Sequence, residues 1–368
     1  MIFDKMRLRF LLSIVFILIL SFPYKSSQAQ NNVSGQGYSD NWTKGHELFK
    51  RKDFGGARYC FQLVAEEEKE FSDRKIGAEF YLAYCAIELS RPEAEKKMLN
   101  FLDRYPGNSH VHDAYFQLAR QKYKQEKYKK AIGWLDRTDA YQVEKDHEDE
   151  FLFIKGYSYF KTDDLDQAGK YFFDLIDKKG EYQLSANYYY AHIAYEKGNY
   201  QTALNAFDML GDDSKYSPLI PYYITQIYYL QGKYDKLLEY APELLEEDGV
   251  ERVSEISKMI GLAYYNQKDY SSAIPYLNRD KDDLNRDETF ALAFSYYQEE
   301  DYKNASQLYP KVKAEDDAIS QISNYNLADC FLKLAEKGKA KKAFEKAAGI
   351  DADESIKKSA LFNFAKIS

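Results

Sequence analysis

Residues that turn, cross-link or ligate are scarce in this chain, and each scarcity removes a class of answer. There are 18 glycines and 8 prolines in 368 residues, few enough that the composition leans toward helix rather than strand-and-turn folds. The 3 cysteines are an odd number, so they cannot all pair, and they read as small buried thiols. The 5 histidines include no metal-binding pair at helical spacing. His110 and His112 lack an adjacent acid cluster, so no metal is expected. No phosphate-cradling glycine loop and no nucleophile elbow occurs. Neither an enzyme nor a cofactor-binding protein is therefore expected. Net charge is −8, and an acidic chain repels phosphate backbones, which argues against nucleic acid. Its many Asp and Glu residues, recurring every three or four positions, read as solvated helix faces rather than as acid–base machinery.

The one long apolar run, Phe10 to Phe22, is too short to span a bilayer, which takes about 20 residues. Lys5, Arg7 and Arg9 precede it, and Lys25-Ser26-Ser27-Gln28-Ala29 comes after it with small residues placed for cleavage after Ala29. This predicts a secretory signal over 1–29, with an uncleaved anchor as the alternative. Either leaves the rest of the chain outside the cytoplasm, in the periplasm or cell envelope. No cysteine occurs before Cys60, so a lipid anchor is not expected. The mature chain, starting at Gln30, reads as soluble, touching a membrane only through partners or an uncleaved signal. Residues 30–40, rich in Asn, Ser, Gly and Gln, form a leader without a packed core.

What the chain has in excess is tyrosine, 35 copies, whose rings suit places where one edge packs and the other meets water. They fall into a pattern that recurs every 32–38 residues from Asn41 onward. Gly156-Tyr157-Ser158-Tyr159-Phe160 leads to Asp164, Ala168 and Phe172. Ala191-His192-Ile193-Ala194-Tyr195 leads to Gly198, Ala203 and Phe207, and Gly261 to Tyr265 leads to Asp269 and Ala273. A small residue in the first helix falls at Gly45, Ala83, Ala119, Gly156, Ala191, Thr225, Gly261, Ala293 and Ala328, with Ala365 opening a further copy. Its partner in the second helix falls at Ala57, Ala131, Ala168, Ala203, Ala273, Ala305 and Ala340. Two helices approach closely only where neither projects a large side chain. Leu237 takes the partner position in the sixth copy, and the second copy is irregular around Arg91 to Ala94. Pro242, Pro275 and Pro310 fall within the second helices of copies six to eight. They predict kinks there, or helices that begin late with proline in the first turn.

This pattern resembles the tetratricopeptide repeat family, a helix–turn–helix unit of about 34 residues. The resemblance covers residues 41–368 and implies an all-α, right-handed superhelical solenoid of about nine repeats. They lie near 38–71, 76–108, 112–145, 149–180, 184–216, 218–249, 254–284, 286–316 and 321–352, with the start of a tenth at 355–368. The chain departs from the family in lacking a tryptophan four residues before the small first-helix residue, where Asn41, Glu79, Tyr115, Leu152, Asn187, Pro221, Ser257, Thr289 and Asn324 stand. Stopping inside a first helix, it reads as a piece of a longer array, or as a ninth copy capped by a short helix. A Cys60–Cys85 bridge between successive units is the alternative to buried thiols.

The family holds other proteins or peptide segments in a groove lined by its first helices. Carried over by position, this predicts a partner-binding groove of Trp42, Phe116, Arg120, Phe153, Tyr157, Tyr188, His192 and Tyr222. Four residues after the small position, Phe49, Ile87, Tyr123, Phe160, Tyr195, Tyr229, Tyr265, Tyr297 and Leu332 continue it. Packing within the hairpin is the competing role for any of these rings. The expected function is a non-catalytic interaction scaffold of the bacterial cell envelope. Glycan or peptide capture, or a regulatory module of a larger protein, are the alternatives.

Overall fold

The structure is a computed structural model that describes residues 40–211, 215–312 and 315–367. The expected signal and the leader up to residue 39 lie outside the described residues. Every regular element among the described residues is helical. The helices are α1 (Asn41–Lys50), α2 (Phe54–Glu67), α3 (Asp73–Glu88), α4 (Ala94–Arg104), α5 (Val111–Lys124) and α6 (Tyr128–Leu135). Then come α7 (Glu148–Lys161), α8 (Leu165–Phe173), α9 (Gln183–Glu196), α10 (Tyr200–Asp208), α11 (Ile220–Leu230) and α12 (Tyr234–Tyr240). The last are α13 (Val253–Asn266), α14 (Tyr270–Asn278), α15 (Arg286–Gln298), α16 (Tyr302–Leu308), α17 (Ala318–Lys333), α18 (Lys337–Ala348) and α19 (Glu354–Ile367). Odd-numbered helices are the first, or A, helices of the sequence copies, and even-numbered ones the B helices. None is long and apolar enough to cross a membrane.

One short turn, used again and again, makes the hairpin. Where α9 ends, Gly198 enters the left-handed region at φ +75°. Its N–H donates to the Tyr195 carbonyl at 2.9 Å, and Asn199 N–H reaches back to Ala194 at 2.8 Å. These bonds satisfy carbonyls that the helix end would otherwise orphan. Lys52, Glu126, Lys268, Glu300 and Ala335 take the same place at φ +60°, +56°, +64°, +60° and +61°. The next residue is often Asp, and it starts the B helix. The Asp53, Asp164, Asp269 and Asp301 carboxylates accept the N–H of Gly56, Gln167, Ser272 and Asn304 at 3.0–3.1 Å. These are N-caps, each worth about 1 kcal/mol.

The molecule divides into a unit up to Cys85 and a unit from Ala86 onward. In the smaller one, Phe61 is fully buried, set against Gly45 and stacked on Tyr81 at 5.0 Å. The larger unit repeats that arrangement. Phe172 packs against Gly156 of its own hairpin and stacks on Tyr189 of the next at 5.3 Å. Phe207 stacks on Tyr223 at 5.3 Å. Leu277 fills the place opposite Gly261, and Phe344 the place in the ninth copy, packed with Ala328. The plug of each hairpin is thus four residues after the small B-helix residue. Ala131, Ala168, Ala203, Ala273, Ala305 and Ala340 are all at 0% exposure, as the close-approach argument requires. The rings that open the B helices are half-buried and also reach the next copy, Tyr128 to Tyr157 at 5.8 Å and Tyr270 to Phe294 at 5.6 Å.

Several expectations are corrected. Of Pro242, Pro275 and Pro310, only Pro275 lies inside an α-helix, and α14 runs unbroken through it. In the sixth and eighth copies the B helix instead ends after 7 residues, because proline has no N–H to continue the ladder. Pro242 then precedes a 3-10 turn (Glu243–Leu245), and Pro310 lies in another (Tyr309–Lys311). None of the three opens a late-starting α-helix. Cys60, Cys85 and Cys330 are buried, and the Cys60–Cys85 bridge is not formed. Ala365 is exposed, and α19 packs on the ninth copy through Ala360 and Phe364. At the position lacking tryptophan, small polar residues anchor the A helix. Asn187 donates to the Ile176 carbonyl at 3.1 Å and Ser257 to that of Tyr276 at 3.0 Å.

Candidate partner-binding surface

The residues predicted to line a groove are mostly interior. Phe116 is at 0% exposure and Phe153, Tyr157, Tyr188, His192 and Tyr222 at 3–7%. Their neighbours explain this. Phe153 stacks on Tyr182 at 5.0 Å, Tyr157 meets Tyr123 and Tyr189, and Tyr188 stacks on Tyr216 at 4.6 Å. Arg252 lies over the Tyr222 ring at 4.6 Å. Side chains from the next A helix and from the connection leading into it close over these rings and fill the space that smaller residues would leave open. These six side chains are packing groups in this structure and present no free face to a partner.

Arg120 is held in place as well. Its Nε donates to Glu150 at 2.7 Å, and its Nη1 to Gln117 at 2.8 Å and to Glu88. The side chain is only 14% exposed, so it braces three A helices rather than standing open as a carboxylate clamp. Burial works to raise the Glu88 carboxyl, but Arg120 and Lys124 outweigh it and hold the group below its ordinary range. Trp42, in the smaller unit, is half-buried and makes edge contacts with His46 at 4.4 Å and Phe61 at 5.8 Å.

A different stretch of the same helical face stays accessible. In copies six to eight, Tyr229, Leu262, Tyr265, Phe294 and Tyr297 are half-buried. Phe294 lies 6.0 Å from Tyr265, 5.6 Å from Tyr270 and 6.3 Å from Tyr297, so the rings form one strip across α13 and α15. Leu230, at 47% exposure, lies at the end of α11 beside Tyr229. Polar groups edge the strip. Tyr297 Oη donates to Asp329 at 2.9 Å. Burial and then this carboxylate push its phenol up. Tyr229, Tyr265 and Tyr297 were legible from the repeat, four residues after each small position. Phe294, one residue after it, emerges as the centre of the strip only in the fold.

Buried lysines were not foreseen. Lys258 Nζ donates to the Asp283 carbonyl at 2.8 Å and to its carboxylate at 2.9 Å. Lys155 donates to the Leu135 carbonyl at 3.3 Å and pairs with Asp136 at 3.0 Å. Each ties an A helix to an inter-hairpin connection, and no local motif announces such a pairing. Among the described residues no group of three or more His, Cys, Asp or Glu side chains is placed to hold a metal ion.

A chain whose helices pair through small-residue seams and bury one hairpin on the next is an α-solenoid repeat protein. Residues 323–354, most of α17 with all of α18, match the family model described as tetratricopeptide repeat, and the preceding hairpins share its geometry. The chain thus carries a tetratricopeptide repeat at residues 323–354. No curated protein matches it. Among solved structures it is similar to a tetratricopeptide repeat protein from Parabacteroides merdae, at 13% identity over 79% of this chain and 98% of that one, with a TM-score of 0.39. It is also similar to the APC/C hetero-tetramer Cut9–Hcn1, at 13% identity over 90% and 71%, with a TM-score of 0.32. The tetratricopeptide domain of P58(IPK) matches at 12% identity over 89% and 97%, with a TM-score of 0.27.

Proposed function

We propose that this chain is a protein–protein interaction scaffold exported to the bacterial cell envelope. It holds partner segments against the aromatic strip of copies six to eight and carries out no chemistry of its own. The observation that carries this reading is the strip itself: Tyr229, Tyr265, Phe294 and Tyr297 are half-buried in successive hairpins, and Phe294 stays open at the repeat position where Tyr157 and His192 of earlier copies are buried. Aromatic groups dominate the energetics of interfaces, and an extended or helical segment with apolar anchors at repeat spacing suits such a surface. Export rests on the basic, apolar and small-residue succession of residues 1–29.

Two measurements test the two halves. Partners captured from envelope extracts by the chain starting at Gln30 are expected to be lost, at least tenfold, on the paired substitution Tyr265→Ala and Phe294→Ala, with helical content unchanged. Undiminished capture by that variant would remove the strip from the proposal. For export, N-terminal sequencing of the protein from its native cells is expected to begin at Gln30 in the envelope fraction. An intact Met1 start in the cytoplasmic fraction refutes it.

A further inference from the structure

His192 lies on α9, in the fifth copy, at 4% exposure. Neither ring nitrogen has a hydrogen-bond partner. Its surroundings are aromatic rings drawn from three successive copies. Phe160 of α7 and Tyr223 of α11 each lie 5.6 Å away, near perpendicular, and Tyr188 and Tyr195 of its own helix lie at 6.5 and 6.4 Å. A second ring of contacts fixes these in turn. Tyr216, in the connection before α11, stacks on Tyr188 at 4.6 Å, and Phe207 of α10 stacks on Tyr223 at 5.3 Å. The titratable groups facing the imidazole are therefore the phenols of Tyr188, Tyr195 and Tyr223, with Tyr216 behind Tyr188. The ionised groups acting on this cluster are Arg252, which bears on Tyr188 and Tyr223, and Glu251, which bears on Tyr188. Phe160 and Phe207 carry no charge.

The place of this cage in the array gives it a consequence. From the third copy on, each B helix is succeeded by the A helix of the next hairpin, and the two approach least at α10 and α11. The rings gathered round His192 bridge that joint, from Phe160 of α7 to Tyr223 of α11. A neutral imidazole is accommodated there as one more flat ring. A protonated one brings a charge and two N–H donors into a site where neither nitrogen has an acceptor, and an unpaired buried charge is expensive.

We propose that His192 makes the joint between the fifth and sixth copies acid-operated. A proton taken from solvent, as the ring leaves its cage, loosens α11 from α9 and α7 while copies seven to nine stay paired. Burial holds the ring's pKa at about 4, against an ordinary 6.5. The folded joint thus binds fewer protons than the open one. Its closure is complete above the ordinary value and is lost as pH falls toward the folded value. The inference does not depend on the partner-binding strip or on export.

The test is amide hydrogen exchange, as protection factors, on the full chain and on His192→Phe. Between pH 7 and pH 4.5 the wild-type protein is expected to lose protection at least tenfold over residues 183–196 and 220–230, with residues 270–348 unchanged. In His192→Phe the two regions should respond alike. A uniform loss along the wild-type array overturns the proposal, as does a selective loss that survives the substitution. Should the variant fail to fold, titration of the wild-type imidazoles by NMR decides the matter, with the ring assigned by substituting the other histidines. A His192 ring titrating about two pH units below the ordinary imidazole value supports the proposal, and one titrating at that value refutes it.

Discussion

Two glycines show how much a single hydrogen atom matters in a close-packed seam. A methyl group on Gly261 would stand 2.6 Å from Leu277 Cγ and 3.1 Å from its backbone nitrogen, and a backbone atom cannot be moved aside cheaply. Gly261→Ala is expected to destabilise the seventh hairpin by about 2 kcal/mol. Gly338, inside α18, has nothing within 4 Å of such a methyl. Gly338→Ala should stabilise by about 0.5–1 kcal/mol through helix propensity alone. Urea denaturation of the two variants checks the opposite signs. Arg120 supplies a pH-dependent case. Glu88 has a lowered pKa in the folded state, so the pair's contribution is present above the unfolded value and is lost as pH falls through the folded one. Arg120→Ala leaves Glu88 and Glu150 facing each other at 12% and 19% side-chain exposure. It should cost about 2 kcal/mol at neutral pH. Denaturation at successively lower pH should show that difference shrinking as Glu88 takes up its proton.

At the scale of the element, the hairpin turn is where sequence and geometry are least matched, and so where stability can be added. Gly198 and Gly232 fit the left-handed position at no steric cost, whereas Lys268 and Glu300 hold it at φ +64° and +60° with a Cβ opposed. Lys268→Gly or Glu300→Gly is expected to raise stability by about 0.5–1 kcal/mol, and Gly198→Ala to lower it by about 1 kcal/mol. Thermal unfolding of the three variants reads this directly, and a loss on Lys268→Gly would contradict the account of the turn. The same elements explain why the prolines do not all act as kinks. Sequence locates Pro242 and Pro310 within a repeat, but whether a helix bends round a proline or ends before it depends on the residues beyond the proline. Here both segments continue into short 3-10 turns whose Leu244 and Tyr309 are buried, so ending early still fills the core.

Across the whole molecule, cooperation runs between neighbours. Phe172 is fully buried in a cluster that reaches from Phe116 in the third copy to Ile193 in the fifth, while a separate cluster joins copies seven to nine. Phe172→Ala should cost about 3–5 kcal/mol. By hydrogen exchange, the loss of protection should be confined to the third to fifth copies, as expected where each repeat packs on its neighbours. Equal loss over residues 318–348 would mean the array unfolds as one body. The period of the small residues, with the rings placed around it, determined the hairpins and their seams without any coordinates, because close approach of two helices is a local demand written into every copy. Tertiary structure alone decided which rings became interior. Phe153, Tyr188 and Tyr222 take the repeat position of the half-buried Phe290, and Tyr157 that of the half-buried Phe294; position within one repeat is silent about how large the facing side chains of the next will be. Arg120 was readable as a charged residue on the right face, yet the Glu88 and Glu150 that immobilise it lie about thirty residues away on either side. Burial is settled by such neighbours, and they are brought together only when hairpin packs on hairpin.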